Sequence, residues 1–416
     1  MFITNLLKGG RYLLISGALL LFFSCSNDDE ELPVIDEGVL ESVVSSETVT
    51  MDQLLDRAVE EYDVAPEMIA QFADKIAFLR TMTVDMTAYR IKYHTVTPDG
   101  QPTVASGVVY YPNIKNPKGV METSPINKSK KNCASRSVQT IECAGSLFGY
   151  VSILPDLIGC GTTDEMPISY MQHENAARVS ADMRRAAAEF IRKKYNKTIS
   201  NKSIVAGYSL GGAISWALAR YYAKHPELGV DVKEIYIGGG AYDPLVAMNA
   251  FISTRYSQYA ILPNIVYSMN YYDNLELDFN EIFRGELLEH YNEWCTGWIS
   301  VPELTKMLGY DIGEYMNLEF LSQDNPAMQR ILKAVATKAV PNDWIPTAKV
   351  HMYSAKDDTY VPRECSDQLY NFLKKIGADV DYTLLEGNHT TTGLTMGLEL
   401  VERLLLSPAP WTASFV

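Results

Sequence analysis

The residues with the clearest chemistry are Gly207-Tyr208-Ser209-Leu210-Gly211. A serine between glycines at this spacing is the pattern of an exposed nucleophile, provided a strand runs into it and a helix leaves it. The flanking sequence meets that condition. Ser203 to Ala206 reads as a short strand and Leu210 to Ala223 as a helix. Glycines suit a strained turn in which strand and helix come close, and the helix N-terminus adds a positive dipole beside developing negative charge. Gly212 and Ala213 extend the run of small residues.

A serine hydroxyl needs a base, and the base needs an acid to hold its tautomer. In sites of this kind the partners follow in the order Ser, acid, His. Asp358 leaves the strand Lys349 to Ser354 and lies three residues before Val361-Pro362. It is the expected acid, with its neighbour Asp357 as the alternative. Leu384-Leu385-Glu386-Gly387-Asn388-His389 ends the next strand in a glycine-containing loop, which makes His389 the expected general base. The remaining histidines, His94, His173, His225, His290 and His351, take ordinary structural readings. His351 is the competitor, but it lies inside a strand and precedes the acid. An oxyanion would need two backbone donors. The N–H of Leu210 is the first. The second is expected from the loop near Thr123 to Asn127, where Pro125 has no N–H and Ser124 or Ile126 is the candidate.

These residues need a scaffold. From residue 149 onward, strand and helix alternate: Tyr150 to Leu154, a long helix over about 174–195, the strand and helix around Ser209, then Ile235 to Ile237. That alternation predicts a mostly parallel sheet with helices on both faces. Upstream, Tyr89, Ile91 and Tyr93 alternate with Arg90 and Lys92, and Thr97-Pro98-Asp99-Gly100 turns the chain into Ala105 to Tyr111. This predicts an antiparallel hairpin at the sheet edge, with Val120-Met121 as a short third strand. The core is thus expected over 84–243 and 344–416. Residues 244–343 are rich in aromatics and read as a helical cap over the site. Residues 51–83 read as a helical addition and 25–50 as an acidic tether.

The first 24 residues read as a signal peptide. Lys8 and Arg11 precede an apolar run, Tyr12 to Phe23, that is short for a membrane span. Cys25 is the expected lipidation site, and the acidic residues after it resemble a surface-export signal of Gram-negative lipoproteins. The expectation is an outer-membrane lipoprotein of the cell envelope, exposed at the surface and held to the membrane by its lipid. A net charge of −15 argues against nucleic acid as a partner. Cys133 and Cys143 are close enough in sequence to pair across a loop. No cysteine or histidine spacing suggests a metal site, and no cofactor is expected.

Several stretches resemble the secretory-lipase and carboxylesterase branch of the α/β-hydrolases. They are Thr103 to Pro112, the Pro155-Asp156-Leu157-Ile158-Gly159-Cys160-Gly161 loop, Asp182 to Ala186, and Asn342-Asp343-Trp344-Ile345-Pro346. The likeness spans roughly residues 84–405. Where that branch carries His-Gly, this chain has Ser124-Pro125. The resemblance implies hydrolysis of a small-molecule or polymer-linked carboxylic ester through an acyl-enzyme. A serine aminopeptidase or acyl-peptide hydrolase would use the same residues, with Asp273, Glu276, Asp278 and Glu281 as a possible amine-binding cluster. A non-catalytic, ligand-binding lipoprotein is the alternative from another class.

Overall fold

The structure is a computed structural model that describes residues 38–62 and 73–406. Nine strands form one sheet: β1 (Leu40–Val49), β2 (Met86–Val96), β3 (Pro102–Pro112), β4 (Val120–Thr123), β5 (Val151–Pro155), β6 (Lys202–Tyr208), β7 (Asp231–Gly238), β8 (Lys349–Ala355) and β9 (Val380–Leu385). Their spatial order is β1-β2-β3-β5-β4-β6-β7-β8-β9. The first three pair antiparallel, β3 pairs antiparallel with β5, and every pairing from β5 to β9 is parallel.

Fourteen α-helices are described: α1 (Met51–Tyr62), α2 (Ala73–Arg80), α3 (Ala144–Leu147), α4 (His173–Tyr195), α5 (Leu210–Lys224), α6 (Pro244–Ser253), α7 (Leu262–Asp273), α8 (Phe279–Ile282), α9 (Gly285–Trp294), α10 (Val301–Leu308), α11 (Ile312–Tyr315), α12 (Pro326–Ala336), α13 (Arg363–Lys375) and α14 (His389–Leu406). Successive strand residues face opposite sides of a sheet, and the core divides accordingly. Val205, Ile235 and Ile237 pack with α5 and α13 on one face. Ile204, Ala206 and Tyr236 pack with Met396, Leu400 and Leu404 of α14 on the other.

The expected tether over 25–50 requires a correction. Leu40–Val49 is an ordered edge strand paired to β2 over its length. Most of its residues are exposed, so it lacks the apolar alternation that marks a half-buried strand, and the charges of Glu41 and Glu47 on such an edge discourage further pairing. Its start is held by the Glu189 carboxylate of α4, which accepts N–H bonds from Gly38, Val39 and Leu40 at 3.2, 3.1 and 2.9 Å. The β2/β3 hairpin is therefore one strand in from the edge. The short β4 lies in the middle of the sheet, between β5 and β6.

Cys25 and the signal segment lie outside the described residues, as do residues 63–72 of the expected helical addition. Cys133 and Cys143 are not paired. All five described cysteines are free and buried, and the Cys143 thiol donates to the Thr140 carbonyl at 2.8 Å. Among the described residues no helix is long and apolar enough to cross a membrane.

Helices α6 to α12 occupy the stretch between β7 and β8 and share a core with the 157–176 segment. Lys130 helps join this layer to the sheet. Its backbone N–H donates to the Gly297 carbonyl at 2.8 Å. Its buried ammonium donates to the Asp164 and Met166 carbonyls and lies 5.7 Å from the Trp298 ring.

Candidate active site

Ser209 sits between β6 and α5 with φ 57° and ψ −126°. A non-glycine residue with positive φ carries backbone strain. The surrounding glycines make the turn possible. A Cβ on Gly207 would lie 2.2 Å from the Gly211 carbonyl oxygen, and one on Gly211 would lie 2.4 Å from that of Ser124. The turn lifts the Ser209 hydroxyl off the C-terminal edge of the sheet.

The ends of β8 and β9 bring the other two residues to the same edge. His389 Nε2 is 2.8 Å from Ser209 Oγ, and His389 Nδ1 is 2.7 Å from Asp358 Oδ2. The second Asp358 oxygen accepts the N–H groups of Tyr360 and Val361, both at 2.9 Å. Those bonds fix the carboxylate's orientation. The side chains of Asp358 and His389 are only 1% and 9% exposed, so their contact is shielded from water. An ionised carboxylate can only accept, so Nδ1 carries the proton and Nε2 presents a lone pair to Ser209. The chain Ser209–His389–Asp358 is continuous. Asp357, the alternative acid, has an exposed side chain. His351 is buried in β8 and stacked on Tyr236 at 4.5 Å.

The oxyanion loop departs from expectation. The Ser124 N–H donates to the Ala206 carbonyl at 3.0 Å and prolongs the β4–β6 pairing, while its hydroxyl accepts from Ser215 at 2.8 Å. It is not free to bind a substrate oxygen. The Ile126 N–H is directed to Glu142 Oε1 at 3.4 Å. Leu210 begins α5, so its amide has no intrahelical acceptor. Asn127, one residue further along the loop, lines the cleft beside Ser209 and Leu210.

Two positioning residues escaped sequence reasoning. The Tyr208 hydroxyl donates to the His389 carbonyl at 2.6 Å, and its ring lies 4.9 Å from the imidazole. The variable position of the serine motif thus holds the histidine loop. Glu142 pins the oxyanion loop from beneath, through Ile126 and through a buried ion pair with Lys128 at 3.1 Å. Neither residue has a motif that marks it. Tyr208 acts through a contact 181 residues away, and Glu142 through a loop 14 to 16 residues upstream.

Ser209 opens into a cleft of about 490 Å³, counting the part open to solvent. The sheet side contributes Leu210, Tyr360 and Val361, and the α6–α12 layer contributes Phe251, Tyr259, Ile261 and Ile265. Tyr259 and Tyr360 stack across the two at 4.4 Å. Tyr170, Met171 and His173 line a further wall. The acidic residues Asp273, Glu276, Asp278 and Glu281 are not among the cleft residues. Asp273 instead pairs with Lys338 and accepts from Gln172, and Asp278 caps α8. Among the described residues no cluster of side chains could hold a metal ion.

No family model and no curated sequence matches the chain. Solved structures do. A putative hydrolase from Legionella pneumophila is 23% identical with a TM-score of 0.73, over 89% of this chain and 100% of that one. The rice cell wall degrading esterase LipA of Xanthomonas oryzae is 17% identical with a TM-score of 0.70, over 88% and 99%. Candida antarctica lipase A in its closed state is 13% identical with a TM-score of 0.57, over 90% and 86%. At these identities the likeness concerns the fold alone. The chain has the α/β-hydrolase fold, with a mostly parallel sheet covered by helices on both faces.

Proposed function

We propose that the protein is a serine hydrolase that cleaves a carboxylic ester through an acyl-enzyme on Ser209. The observation that carries this reading is the unbroken hydrogen-bonded chain from Ser209 through His389 to Asp358, opening into an apolar cleft. His389 removes the Ser209 proton as the hydroxyl oxygen attacks the ester carbonyl, then gives that proton to the departing alcohol. A water repeats the sequence and releases the acid. Asp358 keeps the proton on Nδ1 and stabilises the imidazolium. In this reading the Leu210 N–H receives the oxyanion, and a second donor comes from the loop at Asn127, which lines the cleft beside Leu210.

Esters are favoured over aminopeptidase substrates because, among the described residues, no acidic side chain lines the cleft to receive a free amine. A panel of p-nitrophenyl esters of increasing acyl length, run beside aminoacyl p-nitroanilides, tests this. Ester turnover is expected with no measurable anilide cleavage. Anilide cleavage at a comparable kcat/KM would replace the esterase reading with a peptidase one.

The N-terminal sequence supports a location at the outer membrane, with lipid on Cys25 and polymer-linked esters within reach. Cys25→Ser is expected to move the protein from the membrane fraction to the soluble one. Retention in the membrane fraction would overturn the anchor.

A further inference from the structure

His173 is the feature that the reaction does not use. It begins α4, is 2% exposed, and both ring nitrogens are buried without a hydrogen-bond partner. It also lines the cleft that holds Ser209. Buried polar groups are nearly always paired, and leaving one unpaired weakens the folded state. A phenylalanine would fill a purely structural position at lower cost. Two residues earlier, Met171 lines the same cleft with φ 63°, a strained conformation for a methionine.

We propose that His173 selects the substrate by hydrogen-bonding a hydroxyl carried on an aromatic ring of the ester. This rests on the esterase reading for its substrate class. The surroundings define the group. Burial pushes the His173 pKa down to about 4, and no charged residue contributes to that shift. The ring is therefore neutral near pH 7, with one donor and one acceptor. A carboxylate or ammonium at this place would be a buried charge without a counter-ion. A hydroxyl both gives and accepts, so it pairs with either nitrogen in either tautomer. The ring that carries it is matched by the cleft's aromatic walls, Tyr170, Phe251, Tyr259 and Tyr360. A second polar contact is at hand. The Tyr170 hydroxyl donates to Asn127 Oδ1 at 2.9 Å, and Asn127 Nδ2 donates to the Tyr259 oxygen at 2.7 Å. That arrangement leaves the Tyr259 hydroxyl proton available to a ligand.

The test is calorimetric binding to Ser209→Ala protein, which holds an ester without turning it over. The ligands are methyl 3-(4-hydroxyphenyl)propanoate and methyl 3-phenylpropanoate, which differ by one hydroxyl. The hydroxylated ester is expected to bind about tenfold tighter or more, as one buried hydrogen bond to an otherwise unpaired group implies. Adding His173→Phe, or independently His173→Met, should bring the two affinities together. His173→Gln, which keeps a donor and an acceptor, should retain a preference. Because His173 has no structural partner, the Phe variant is expected to melt at or above the parent's temperature. Equal affinities on the His173 protein, or a preference that survives both apolar replacements, would overturn the proposal. Separate labelling of Ser209 by a fluorophosphonate on the unmodified protein keeps the two readings apart. A missing preference with intact labelling removes the role of His173 alone, whereas missing labelling removes the esterase reading.

Discussion

His389→Ala is expected to lower kcat/KM toward an activated aryl ester by about ten-thousand-fold or more. The loss follows from geometry. Ser209 is 2.8 Å from His389 Nε2, and no other histidine reaches it in the described structure. Without that nitrogen the hydroxyl has no acceptor for its proton at the moment of attack. Asp358→Asn should cost nearly as much, because an amide in place of the carboxylate lets Nδ1 become the acceptor and sends the proton to the wrong nitrogen. The two losses should not add, since the residues act as one unit. Asp357→Asn is the matched control. Its side chain is exposed and it belongs to no part of the site, so steady-state rates should stay close to the parent's. Loss of activity in Asp357→Asn with activity kept in Asp358→Asn would reverse the assignment.

The second large effect is on stability. Glu122 of β4 and Arg184 of α4 form a buried ion pair at 2.8 Å, with side chains 3% and 6% exposed. Ser203 donates to the same carboxylate at 2.6 Å, Tyr222 of α5 donates to its other oxygen, and Arg184 also reaches the Ser200 carbonyl at 2.7 Å. One carboxylate thus ties the central strand to both helices that flank the serine turn. Glu122→Gln removes its charge and leaves the guanidinium buried without a counter-ion. Breaking such a pair typically costs roughly 3–5 kcal/mol. Urea unfolding followed by tryptophan fluorescence should show the midpoint falling by a matching amount. Replacing both partners by methionine should recover most of the loss, because no uncompensated charge then remains. An unchanged midpoint in Glu122→Gln would show that the network contributes little.

Much of this arrangement was legible in the sequence, and the unread parts have physical reasons. The serine turn, Asp358 and His389 each sit where a strand ends. Strand alternation, glycine and chain order are local signals, so they survive without a structure. The β1 strand was hidden because an exposed edge strand selects polar residues, which read as a tether. The short β4 was legible as a strand but not as the centre of the sheet, since the order of strands depends on contacts across the whole chain. The oxyanion loop failed for a related reason. Whether the Ser124 N–H is free depends on how far the β4–β6 pairing runs, and that pairing extends to Ala206. Tyr208 and the Glu122–Arg184 pair were invisible because each works through a partner distant in sequence, and Glu142 because its partners depend on how the loop before it folds back. In the sequence His173 has nothing to distinguish it from an ordinary structural histidine. Only its burial without partners, in the wall of the cleft, sets it apart.

The central claim is that Ser209 is a nucleophile activated by the residues around it. Reaction of the folded protein with a fluorophosphonate, followed by peptide mass spectrometry, tests it most directly. The account predicts a single adduct, on the Ser209 hydroxyl, that is lost in Ser209→Ala and formed far more slowly in His389→Ala. No adduct on the unmodified protein, or an adduct that survives Ser209→Ala, would contradict it.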